Sequence, residues 1–143
     1  MIKRNDIATV LLGVVVALTL WITILSRETL IGTPKIYQFL HSLPSFLKEI
    51  QRGRIGNSFG NIILFVPFGV LFPAVTDWKK MWRTVVAGVG FSLIIETIQL
   101  ITSRGCFDFD DVLLNCLGTV IGFGLYNTAW KLFTKNDLNA SAN

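Results

Sequence analysis

Residues 92–124 read SLIIETIQLITSRGCFDFDDVLLNCLGTVIGFG. Two apolar runs flank a short polar turn. Extended outward to residues 82–102 and 111–131, each run is long enough to cross a hydrocarbon core, which takes about 20 helical residues. Yet the first run carries Glu96 and Gln99, and the second carries Asn115. Between them Arg104, Asp108, Asp110 and Asp111 fall within eight positions. Charged and amide groups at membrane depth face a cavity or a partner rather than lipid. A membrane hairpin with a polar interior at one end is therefore the reading to extend to the rest of the chain.

Two more apolar runs lie upstream, so four spans are expected, at about residues 7–25, 58–76, 82–102 and 111–131. Of the 143 residues 52% are hydrophobic and only 15% charged, which leaves four such helices little surface for water. The expected fold is an all-α membrane protein, a compact bundle of four transmembrane helices forming one domain over residues 1–143. The net charge of +4 sits in short flanks of the apolar runs, its usual place in membrane proteins, so no nucleic-acid partner is expected. MIKRND gives a basic start, but no small-residue cleavage pattern follows the first run, and a retained first helix is expected. Cys106 and Cys116 read as two unpaired small apolar residues.

The connection from Ser26 to Asn57 contains TPKIYQFLHSLPSFLKEIQR, in which Ile36, Phe39, Leu40, Leu43, Leu47 and Ile50 share a helical face. This predicts an amphipathic segment on the membrane surface or packed on the bundle. GRIGNSFGN reads as a turn into the second helix, which carries Pro67, expected to bend it, and Gly69, expected at a kink or packing contact, and should end near Pro73. Gly118 and Gly122 form a small-xxx-small pair, expected to pack inside the monomer, though it can also serve oligomerisation. The polar tail, 132–143, is expected to be loose.

Orientation follows from basic residues near helix ends. With both termini cytoplasmic, that side holds Lys3, Arg4, Lys79, Lys80, Arg83, Lys131 and Lys135; the other holds Arg27, Lys35, Lys48, Arg52, Arg54 and Arg104. The count is nearly even, but short-loop residues weigh most and favour cytoplasmic termini. The amphipathic segment is then extracytoplasmic. Glu96, Gln99, Asp111, Asn115, Asn61 and Arg27 then share one depth, on the outward side.

Two readings of this cluster stay open. A Glu96 pair with Arg104 or Arg27, plus amide hydrogen bonds and an Asp108 or Asp110 cap on the last helix, would simply hold helices together. Alternatively, Glu96, Gln99, Arg104, Asp108, Asp110, Asp111, Asn115, Asn61 and Arg27 line a pocket for a phosphate-bearing lipid head, a sugar or a cation. No spacing fixes a metal, and no cofactor is expected. Glu96 has the chemistry of an acid or base, but no serine elbow, zinc spacing or phosphate loop accompanies it. His41, the one histidine, reads as a polar spot beside an apolar face.

GNIILFVPFGVLFP, SLIIETIQL and SRGCFDFDDVLLNCLGTVIG together resemble the VanZ-like family of small bacterial membrane proteins. The resemblance is carried by Asn61, Phe65, Pro67, Gly69, Glu96, Gln99, Arg104, Asp108, Asp111, Asn115 and Gly118, with Ser26 and Arg27 after the first helix. It implies a multi-pass protein of the bacterial cytoplasmic membrane, and its namesake is linked to teicoplanin resistance. Glycopeptides act at the outer leaflet, so membrane lipids and a lipid-linked wall precursor or glycopeptide become the expected partners. A membrane enzyme acting on a lipid or wall precursor, and a scaffold with a structural polar cluster, are the alternatives.

Overall fold

The computed structural model describes residues 4–25, 55–76, 80–105 and 107–141. They form α1 (Arg4–Leu20), a π-helical turn (Trp21–Leu25), α2 (Ile55–Val75), α3 (Met81–Thr102) and α4 (Phe109–Ser141). The expected amphipathic segment, with His41, lies outside the described residues, as do Arg27 and Cys106. Cys116 is a free, half-buried thiol.

The polarity of the bundle is inverted. Among the described residues, buried polar side chains outnumber buried apolar ones, while Val10, Ile63, Ile94, Leu113 and many other large apolar side chains point outward. Water would not tolerate this surface, and lipid favours it. Asp6–Leu25, Met81–Thr102 and Phe109–Thr134 are each long and apolar enough to cross a membrane; within α2 the apolar stretch, Phe59–Val75, is shorter. The protein is an all-α, multi-pass membrane bundle.

Specific contacts give the helix directions. A Cβ on Gly118 would strike the Ile62 carbonyl, and one on Gly122 would strike the Val66 carbonyl. Ascending numbers on α2 thus meet ascending numbers on α4, and the two run parallel. This is the most extensive contact in the bundle. Gly69 closes the same seam from the α2 side, with Thr119 and Gly122 against it. On α3, Gly88 faces Thr119, and Ser92 bonds Asn115, so α3 runs antiparallel to α4. Phe65 and Phe68 of α2 each hold the Phe91 ring of α3 at 5.5 Å between centroids. Ile24, Phe65 and Ile95 form a small apolar core beneath the polar end.

Three local expectations change. The first helix is not α-helical to its end. The Thr23 hydroxyl donates to the Thr19 carbonyl at 2.6 Å, the acceptor an α-helical Thr23 amide would use, and the last turn widens to π geometry. The second helix begins at Ile55, so IGNSFGN is helical rather than a turn; it runs through Pro67, which is exposed, and ends at Val75, near Pro73 as expected. The last helix continues to Ser141 through the tail expected to be loose. No glycine or proline follows Gly124, and Leu, Lys and Ala in that stretch favour helix.

Candidate functional site

The polar groups gather where α1 ends, α3 ends and α4 begins. Along α3, Thr84, Gly88, Ser92 and Glu96 recur every fourth residue and are buried, as is Gln99. This stripe faces α4. Glu96 is 1% exposed, and its Oε2 accepts the Asp108 backbone amide at 2.8 Å. Asp108 is the N-cap of α4: its Oδ1 accepts the Asp110 amide at 2.9 Å, satisfying one of the free donors of the first turn. In a capping box the residue three beyond the cap reaches back to the cap's own amide. Here a carboxylate from the neighbouring helix takes that amide. Asp110 and Asp111 complete the first turn and are half-buried.

Asn115 follows one turn below Asp111, 4% exposed, and its Nδ2 donates to Ser92 Oγ at 2.8 Å. Its carbonyl accepts the Thr119 hydroxyl at 2.9 Å. Gln99, 1% exposed, donates from Nε2 to the Thr23 carbonyl at 2.9 Å. Arg104 donates from Nη1 to the Leu25 carbonyl at 3.2 Å and the Ile24 carbonyl at 3.4 Å. These are carbonyls at the C-terminal end of the first helix, where the last turn has no intrahelical donors.

Each charge is therefore matched to a helix end of opposite sign. Glu96 lies at the amino end of α4, where backbone dipoles leave positive potential; Arg104 lies at the carboxyl end of the first helix, where they leave negative potential. Among the described hydrogen bonds Arg104 serves the first helix rather than Glu96. The turn between α3 and α4 makes this possible: Ser103 takes a left-handed conformation, φ 54°, and the Arg104 amide closes back on the Gln99 carbonyl at 3.0 Å.

Asn61 is half-buried on α2, and its side chain stands outside the hydrogen bonds described for Glu96, Gln99 and Asn115. Gly69, Gly118 and Gly122 are buried in the α2–α4 seam. Thr84, Gly88 and Thr23 were not singled out from sequence. The four-residue recurrence of small residues from Thr84 to Ser92 is the signal that finds the first two. Among the described residues no group of three or more His, Cys, Asp or Glu side chains is placed to hold a metal ion.

The VanZ/LLP1 family model matches residues 6–132. The chain is also similar to "Protein VanZ" of Enterococcus faecium, with 31% identity over 91 residues, covering 61% of this chain and 54% of that protein. It thus spans about half the length of the curated relative it matches. No solved structure gives a significant match. With the family match running through all four described helices and the whole polar end of the bundle, the chain belongs to the VanZ/LLP1 family.

Proposed function

We propose that this bacterial envelope protein binds a lipid-linked or glycopeptide-type ligand in a polar site open to the outer face of the cytoplasmic membrane. The carrying observation is the arrangement of Glu96, Gln99 and Asn115, all at least nine-tenths buried, behind a half-buried rim of Arg104, Asp108, Asp110 and Asp111. Such groups are costly at membrane depth and by default mark a site. α2 is the fourth crossing in this reading. Its parallel course beside α4 supports that, since helices separated by one antiparallel helix cross in the same direction. Both termini are cytoplasmic, on the warrant of the basic start and the KKMWR turn, which sets the polar end at the outer leaflet. The family's link to teicoplanin resistance agrees with that location.

A scaffold is the second reading. The specific observation in its favour is that Glu96 and Arg104 each meet a helix end, which a purely structural role also requires. Labelling separates the two. In a chain with Cys106 and Cys116 replaced, an Asp110→Cys thiol at the rim is titrated with a membrane-impermeant maleimide. Teicoplanin or a lipid-linked wall precursor should slow the reaction if the site binds either. Labelling at an unchanged rate with both present, in a chain of normal folded yield, would leave the scaffold reading.

A further inference from the structure

The unmet hydrogen-bonding capacity described inside the bundle lies on two amide side chains. Among the described residues, the buried side-chain atoms without a partner are Gln99 Oε1 and Asn115 Oδ1, both acceptors. Gln99 is held in that orientation because its Nε2 faces a carbonyl, which can only accept. An unmatched buried acceptor is costly enough to need a reason.

The register of α3 and α4 sets the level of both amides. Gly88 opposite Thr119 and Ser92 opposite Asn115 set the antiparallel pairing of α3 and α4. One turn further, the same pairing brings Asp111 opposite Glu96. Helical side chains lean toward their own N-terminus. Gln99 therefore leans down α3 toward Glu96, and Asn115 leans along α4 toward Asp111, the level of Glu96 on the other helix. The rim adds Asp108, Asp110 and Asp111, all half-buried.

The complementary group has several donors, no acceptor and a positive charge. A primary ammonium fits: three N–H donors and no lone pair. A phosphate would suit Arg104 at the rim, but it brings only acceptors to two acceptors that lack donors, beside four carboxylates. A metal ion fits less well, because no cluster of three or more His, Cys, Asp or Glu ligands is available among the described residues. We infer that the site, if it binds a ligand as proposed above, binds it through a primary ammonium group, carried either on a lipid headgroup or on a peptide.

The test uses the full chain in phosphatidylcholine nanodiscs, whose quaternary headgroup has no N–H donor, with thermal unfolding as the readout. One arm adds phosphatidylethanolamine and a second adds soluble lysyl-alanine; the controls are phosphatidylglycerol and inorganic phosphate. A ligand at a hundredfold excess over its Kd should raise Tm by about 5 °C or more. The responding ammonium arm identifies the source. The rise should vanish in a Gln99→Met, Asn115→Leu double variant. In Glu96→Gln, whose amide oxygen can still accept the Asp108 amide, the midpoint should move about tenfold or more to higher concentration. A rise with phosphatidylglycerol or phosphate and none with either ammonium would overturn the ammonium assignment and leave ligand binding standing. No rise in any arm, with Asp110→Cys labelling unchanged by teicoplanin and wall precursor, would overturn both.

Discussion

Adding one methyl group at Gly122 should loosen the bundle, whereas adding it at Gly124 should not. A Cβ at Gly122 would lie 2.8 Å from Gly69 Cα and nearer still to the Val66 carbonyl oxygen. Ordinary van der Waals contact begins at 3.4 Å, so α2 and α4 must part by at least 0.6 Å at that point. The obstacles are backbone atoms, which no rotamer change can move. Overpacking of this kind costs about 1–3 kcal/mol, and a gap of 0.5–1 Å forfeits roughly a quarter to a half of each facing dispersion contact. Gly124 sits two residues on, with nothing within 4 Å of its added Cβ. Both changes gain the same intrinsic helix preference of alanine over glycine, about 0.8–1.0 kcal/mol in peptides. That term cancels in the comparison, so Gly122→Ala should be less stable than Gly124→Ala by about 1–3 kcal/mol. Reversible unfolding from mixed micelles by added dodecyl sulfate, followed by tryptophan fluorescence, measures the difference. A Gly69→Ala, Gly122→Ala double variant should lose less than the two single losses together, because both methyls open the same seam. Equal stabilities for the Gly122 and Gly124 variants would refute the seam as the contact that holds α2 to α4.

Glu96→Gln should keep its acceptor for the Asp108 amide and unfold close to wild type, while Glu96→Leu should lose about 1–3 kcal/mol; equal losses in the same titration would mean that the charge matters rather than the hydrogen bond. Asp108→Ala should cost about 1 kcal/mol through the lost cap, and Asp108→Asn only a few tenths. Matching losses for the two would show that Asp108 does not cap α4 through its side chain. An Asn139→Cys thiol, in a chain without Cys106 and Cys116, should resist an impermeant reagent in sealed cells; rapid labelling there would move the polar site to the cytoplasmic side.

The helical membrane class was legible because it needs only length and apolarity, and residues 82–102 and 111–131 supply both. The burial of Glu96, Gln99 and Asn115 was legible from cost: lipid gives such groups no partner, so they turn inward. The Asp108 cap was one of two named candidates, since a short acid ahead of an apolar run has that chemistry. What stayed hidden were partners with no side-chain identity. Gln99 and Arg104 bond carbonyls of Thr23, Ile24 and Leu25, 76 to 80 residues away, and every residue has a carbonyl. A Glu96 pair with Arg104 or Arg27 was the natural expectation, because charge is visible in sequence and a helix end is not; Arg104 meets such an end, and Arg27 lies outside the described residues. Gly69 was expected to serve a kink or packing, but its seam partners, Thr119 and Gly122, follow only from the parallel course of α2 beside α4.

The bond between Glu96 and the Asp108 amide also orders events during synthesis. The two residues are 12 apart in the chain. When α3 leaves the insertion machinery this bond cannot yet form, and a charge in a lone helix costs about 2.5–3.5 kcal/mol on insertion scales. Its partner emerges roughly one to two seconds later at ordinary elongation rates. We expect α3 and α4 to enter the bilayer as a hairpin rather than one after the other. Glycosylation reporters fused after Gly105 and after Thr134 should show it, with α3 inserting less efficiently in the shorter chain; equal insertion would mean that α3 carries its charge into lipid unaided.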